Sequence, residues 1–277
     1  MKLISRLGPA IAGVLLAAVY WPTFVWMAAR FEEADTYYSH GYLVPFVFAY
    51  ILWIKRDEFK KCAIKPLSAG LALFLPALLI HLIAYFFEIN FVSGFSIILA
   101  LFGLCLYLYG AGAAKKAAFA IIFLTFMIPL PQVLIINISF NMKMMAANAA
   151  TYIIQLMGIP AVREGSIVYL KPGTFLTVGD PCSGLRSLIA LTALGALYAY
   201  LVKVSAAKKM LLFLLSIPIA LAANILRIVL LLLVAYAYNA QVATGKFVHD
   251  FLAFLLYVFA IIGLILAGRI LSWEKKK

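Results

Sequence analysis

Eight apolar stretches divide this 277-residue chain, at 7–27, 42–54, 67–87, 91–109, 117–136, 185–202, 210–238 and 251–270. A helix needs roughly 20 mainly apolar residues to cross the hydrocarbon of a bilayer, and these stretches approach that length. The second is the shortest. With 66% hydrophobic and 12% charged residues, the chain is far from the balance of a soluble globular domain. The fold class expected is an all-α polytopic membrane protein with about eight transmembrane helices, residues 1–277 forming one integral membrane domain.

A net charge of +13 would suit nucleic acid if it formed one soluble face. Instead the basic residues fall in short runs between apolar stretches: Lys2 and Arg6; Lys55, Arg56, Lys60, Lys61 and Lys65; Lys115 and Lys116; Lys203, Lys208 and Lys209; Lys275 to Lys277. The intervening connections carry Glu32, Glu33 and Asp35, then Glu88, Asp180 and Asp250. Lys and Arg concentrate in cytoplasmic loops, so one alternation fits the whole chain, with both termini cytoplasmic. The expected partner surface is the lipid bilayer, and no nucleic acid is expected. The first stretch runs on into Tyr20, Trp21 and Trp26 without a small-residue cleavage site, so it reads as a permanent helix and not a removable signal.

That parity leaves 137–183, the longest connection, on the extracytoplasmic side. Ile138, Met142, Met145, Ala149, Tyr152 and Leu156 recur every three or four residues, which predicts an extracytoplasmic helix over 137–157 lying against the bundle or the interface. Gly165, Pro172 and Gly173 then bracket 166–170 and 174–178, the signature of a short β-hairpin before the sixth span. The hairpin delivers the chain to Asp180, Pro181, Cys182, Ser183, Gly184, Leu185, Arg186 and Ser187, where loop gives way to membrane helix.

Of the three cysteines, Cys62 falls in a cytoplasmic connection, Cys105 within the fourth stretch and Cys182 at the outer boundary. No disulfide follows from that arrangement. An unpaired thiol facing an oxidising compartment is a liability unless it is buried or used. At a helix start Cys182 meets the positive end of the backbone dipole, and Gly184 lets another part of the chain approach closely.

Arg227 lies inside the seventh stretch, and an intramembrane arginine needs a partner or a water-filled cavity. Asn224, one helical turn earlier, shares its face and is placed to orient the guanidinium. His249 stands just before the eighth stretch, beside Asp250. Cysteine, arginine and histidine near one membrane face supply the parts of acyl transfer: a nucleophile, a cation for a developing oxyanion and a proton carrier titrating near neutrality. Arg186, one turn after Cys182, is placed to lower the thiol pKa, to grip an acidic substrate group or to reach the interface. His40, at the outer end of the second stretch, either assists the site or sits at the interface. His81, inside the third, reads as a hydrogen-bonded packing residue.

The chain resembles the exosortase and archaeosortase family of membrane transpeptidases. The resemblance rests on Cys182-Ser-Gly-Leu-Arg-Ser, on Asn224-Ile-Leu-Arg227-Ile, on His249 at the head of the last span, and on Ser39-His40-Gly41-Tyr-Leu-Val-Pro45. It implies a catalytic trio of Cys182, Arg227 and His249, supported by Ser183, Gly184, Arg186, Asn224 and His40. It further implies a thiol protease or transpeptidase of a bacterial inner membrane that cleaves exported proteins at a C-terminal sorting signal. That signal is Pro-Glu-Pro followed by a membrane helix and a basic tail. No cofactor is required and no metal site is expected, since no His/Glu pair at helical spacing or Cys/His cluster is present.

Two other readings stay open. An intramembrane serine protease would use Ser183, although proline stands at position 181 where such a Gly-x-Ser-Gly segment needs glycine. A transporter or lipid-handling scaffold would line an anion path with Arg227 and leave Cys182 as packing, but no inverted repeat is found.

Overall fold

A computed structural model of the chain describes residues 2–33, 36–179 and 182–273. Asp35, Asp180, Pro181 and Lys275 to Lys277 lie outside the described residues. The chain is helical apart from one small sheet and comprises two compact units, Met1–Pro131 and Gln132–Lys277.

In the first unit, α1 (Lys2–Val19) and α2 (Trp21–Glu32) meet at a 60° bend. Pro22, which lacks an amide hydrogen, sits in the first turn after it. Tyr20 at the bend is fully buried, its hydroxyl 2.8 Å from Ser96 Oγ. His81 donates from Nε2 to the Val19 carbonyl at 3.1 Å, and its Nδ1 lies 2.7 Å from Ser93 Oγ. A 3₁₀ turn, Ser39–Tyr42, leads into α3 (Leu43–Ile54) and the short α4 (Arg56–Lys60). Helices α5 (Ala69–Phe86) and α6 (Asn90–Tyr109) pack backbone to backbone through Gly70 and Gly103. A Cβ on Gly103 would stand 2.7 Å from the Phe74 nitrogen, the small-residue packing that holds helices together where lipid removes the hydrophobic drive. Then α7 (Ala111–Phe123) decays into a 3₁₀ turn, Leu124–Met127.

Among the described residues, five helices are long and apolar enough to cross a membrane, or six if α1 and α2 form one bent span. The expectation of about eight is not confirmed, and three local features account for the difference. The stretch at 117–136 is not one helix: Pro129 and Pro131 end α7 and its 3₁₀ tail, and the chain restarts as α8 (Gln132–Leu156) because proline and the residue before it resist helix. Consequently 137–157, expected as an extracytoplasmic helix, belongs to a 25-residue helix that is itself a candidate span. The stretch at 42–54 forms only the 12 residues of α3. The 17-residue α9 (Leu185–Leu201) is about 26 Å long, short of a hydrocarbon core of about 30 Å.

The second unit continues from α8 into a three-stranded antiparallel sheet, β1 (Val162–Glu164), β2 (Ile167–Lys171) and β3 (Thr174–Thr177), in the order β1-β2-β3. The expected hairpin is β2 and β3, turned by Pro172 and by Gly173, whose φ of +74° only glycine adopts easily. One further strand folds back onto β2, with Val162 opposite Tyr169. Val168, Leu170, Leu176 and Val178 alternate inward and pack on Ala146, Ala147 and Ala150 of α8 and on Ile228, Leu231 and Leu232 of α10 (Ala206–Ala237). Lys171 donates to the Tyr236 carbonyl at 2.9 Å, satisfying a helix-end acceptor with a cation that the dipole favours. The short α11 (Ala240–Thr244) and α12 (Lys246–Trp273) complete the unit.

Gly103→Leu forces a side chain into the α5–α6 backbone contact and lowers the melting temperature of the purified protein by several degrees. Gly13→Leu, in open space on α1, leaves it within a degree or two; equal losses would mean that the glycine contact does not hold the pair.

Candidate active site

Strand β3 runs through Val178 and Gly179 toward Cys182, whose amide donates to the Gly179 carbonyl at 3.0 Å. Two residues later Gly184 adopts φ +84° at the cap of α9. A Cβ there would meet Asn224 Cγ and Nδ2 at 2.6 Å. Glycine is therefore required twice, by the backbone angle and by the approach of α10. The approach lets Asn224, 2% exposed, donate from Nδ2 to the Cys182 carbonyl at 3.2 Å. The expected role of Asn224, orienting the guanidinium one turn away, is not what the geometry shows; its amide holds the thiol-bearing loop.

Ser183 is fully buried, and its Oγ accepts from the Leu185 amide at 3.4 Å. Its hydroxyl thus closes a local turn just ahead of α9, whose N-cap is Gly184. Ser187 donates to the Gly184 carbonyl at 2.9 Å.

Arg227, 7% exposed, lies ten residues before the end of α10, about 15 Å along the axis. From Nη2 it donates to His249 Nε2 at 2.9 Å and to the His249 carbonyl at 3.4 Å. A guanidinium can only donate, so Nε2 is the acceptor and the His249 proton is on Nδ1. The imidazole is held in the first turn of α12, where its amide donates to the Gly245 carbonyl at 2.9 Å. Arg227 Nε and Asn224 Oδ1 are buried without a hydrogen-bond partner, and among the described residues no carboxylate pairs with Arg227 or Arg186.

A pocket of about 250 Å³ has Cys182 and His249 in its wall, together with Thr177, Gly179, Ile228 and Thr244, and Arg227 reaches it through its hydrogen bond to His249. Burial pushes the Cys182 thiol above the usual range, and the Arg227 guanidinium pulls it back. The thiol thus stands under two opposed influences, burial that disfavours the thiolate and a cation that favours it.

Arg186 is half-buried in the first turn of α9 with its Nε unpartnered. His40 belongs to the first unit, where Nε2 donates to the Phe126 carbonyl at 3.2 Å. Cys62 and Cys105 also belong to that unit. Among the described residues no group of three His, Cys, Asp or Glu could hold a metal ion.

Thr177 fell within the predicted hairpin and Gly179 just beyond it, although nothing in their type marked them as pocket wall. Thr244 was not legible, because its short helix, Ala240–Thr244, has no apolar period.

Residues 26–266 match the transmembrane exosortase family. Among curated proteins and among solved structures, nothing matches the chain.

Two outcomes follow from this geometry. Gly184→Ala destabilises more than Gly158→Ala, since both glycines have positive φ but only Gly184 faces an obstructing side chain; the positive φ alone costs roughly 1–2 kcal/mol, and equal melting temperatures would refute the Asn224 clash. Arg227→Gln removes the charge that lowers the Cys182 pKa, so alkylation by iodoacetamide at pH 8 slows about two- to tenfold and its rise shifts to higher pH. An unchanged profile would show that Arg227 does not act on the thiol.

Proposed function

The chain belongs to the transmembrane exosortase family, and from that premise we propose that this multi-pass membrane peptidase or transpeptidase works through Cys182, Arg227 and His249. The observation that carries the proposal is the Arg227–His249 hydrogen bond at the pocket whose wall includes Cys182. In the resting arrangement Arg227 occupies the Nε2 lone pair of His249. A substrate carbonyl that draws the guanidinium toward its oxygen frees Nε2 to take the Cys182 proton.

The thiolate then adds to the peptide carbonyl carbon, and Arg227 stabilises the oxyanion in a largely dry pocket. Collapse breaks the C–N bond, His249 returns the proton to the leaving amine, and a thioester remains on Cys182. Water or an acceptor amine attacks the thioester, loses its proton to His249, and releases the thiol. The first gives proteolysis and the second transpeptidation.

Ser183 is the weaker nucleophile on this reading, being fully buried with its hydroxyl turned to the Leu185 amide. Arg227, engaged by a histidine, is likewise a poor lining for an anion path. Gly184 and Asn224 set the loop, and Arg186 presents a second cation. His40 is carried only by the family resemblance.

The substrates of this reading are exported proteins with a Pro-Glu-Pro type C-terminal sorting signal, a membrane helix and a basic tail. The enzyme would lie in a bacterial inner membrane with both termini cytoplasmic and the site facing outward. Lys203 stands between α9 and α10, and Lys208 and Lys209 in the first turn of α10, at the ends of those helices remote from Cys182, which agrees with that orientation under the positive-inside rule.

Co-expression with such a substrate tests the proposal. Cys182→Ala and Arg227→Ala abolish cleavage, Ser183→Ala retains most of it, and mass spectrometry finds the acyl group on Cys182. Normal processing by Cys182→Ala, or loss confined to Ser183→Ala, would overturn the cysteine mechanism.

A further inference from the structure

The sheet beside the pocket has two edges, and they differ. β1, the edge remote from β3, carries Arg163 and Glu164. Charges of that kind discourage another strand from pairing. β3 reads Thr174-Phe175-Leu176-Thr177, with no charge and no proline.

Its pairing leaves a definite set of backbone groups unused. Val178 donates its amide across to the Ser166 carbonyl at 2.8 Å, and Leu176 stands opposite Val168 while Thr177 stands opposite Ile167. In an antiparallel ladder successive residues direct their N–H and C=O to opposite sides. Leu176 and Val178 therefore face β2, and Phe175 and Thr177 turn their N–H and C=O away from the sheet. Among the described residues, no hydrogen bond runs from those groups to backbone outside the sheet. Both residues are exposed, Phe175 by 50%. The same strand end forms the pocket wall, where Leu176, Thr177, Val178 and Gly179 stand with Cys182 and His249.

We propose that the outer edge of β3 is the substrate-binding rail: an extended segment of the substrate polypeptide next to its scissile bond pairs with the backbone of Phe175 and Thr177, becoming a fourth strand that leads its carbonyl to Cys182. Backbone pairing of this kind is indifferent to side-chain identity at every second position. It orders the segment with hydrogen bonds about 6.8 Å apart, the two-residue repeat of a strand. The unpaired groups satisfy themselves with water until the peptide arrives. This proposal rests on the reading of Cys182 as nucleophile, and adds the means by which a peptide is aligned on it.

Backbone N-methylation of a synthetic substrate, one residue at a time, tests the rail on the unaltered full-length enzyme in vesicles. Pairing predicts that kcat/KM falls about tenfold or more at alternate positions on one side of the scissile bond, and little between them. A uniform effect, or none, while Cys182 still becomes acylated by the unmethylated peptide, overturns the rail and leaves the nucleophile standing. Absence of an acyl group on Cys182 overturns the nucleophile and the rail together. Thr177→Pro, compared with Thr177→Val, supplies a second test, because proline is tolerated where a strand amide faces outward; both lose the hydroxyl, and only the proline loses the outward donor. The proline variant keeps wild-type labelling of Cys182 by iodoacetamide but loses about tenfold in kcat/KM for the peptide; wild-type turnover would refute the pairing.

Discussion

The approach of α10 to Gly184 is the constraint on which the site depends. Only a residue without a Cβ permits Asn224 to reach over the loop and bond the Cys182 carbonyl. That single hydrogen bond, in a setting where water is scarce, fixes a loop thiol to the helix that also bears Arg227. The sheet reinforces the same joint from the other side, because the side chains that bury it on α10 occupy the turns just beyond Arg227. Loop, sheet and helix are thus clamped within a few residues of one another, and the pocket is what the clamp leaves open.

Among the described residues, Arg227 is a buried cation without an anion. The usual compensation is a carboxylate, which would form a tight pair and neutralise the charge that the proposed mechanism assigns to the reacting carbonyl. A neutral imidazole is a softer partner. It accepts one hydrogen bond, leaves the net charge at one, and is easily exchanged for a better acceptor. The orphaned Nε of Arg227 and Oδ1 of Asn224 point the same way, since unsatisfied buried polar atoms concentrate where a ligand is to complete them.

Much of the architecture could be read from hydropathy, and the failures have specific causes. Counting apolar residues across 117–136 overlooked two prolines whose missing amides matter more than their hydrophobicity. That one oversight also misassigned 137–157, whose three-to-four spacing was correctly helical but whose helix begins upstream at Gln132. β1 escaped notice because three residues containing Arg163 and Glu164 have no apolar alternation. At the site, residue chemistry and loop parity put Arg227 and His249 near one membrane face without showing that they meet, and the hydrogen bond between them is a tertiary fact. The partner of Asn224 was invisible, since it is a backbone carbonyl 42 residues away in sequence and helical spacing reports only neighbours on the same helix.

The length of α10 has a consequence for how a membrane-anchored protein reaches this pocket. Its 32 residues extend about 48 Å, against about 30 Å of hydrocarbon, so some 18 Å is taken up by tilt or stands clear of the acyl chains. The sheet and α11 gather on its final turns, and Arg227 lies ten residues, about 15 Å, short of that end. On the proposed reading, an exported client held by its own membrane helix would meet the thiol at that end of α10, where chain already stands outside the helix bundle, and would not have to be unwound within the lipid.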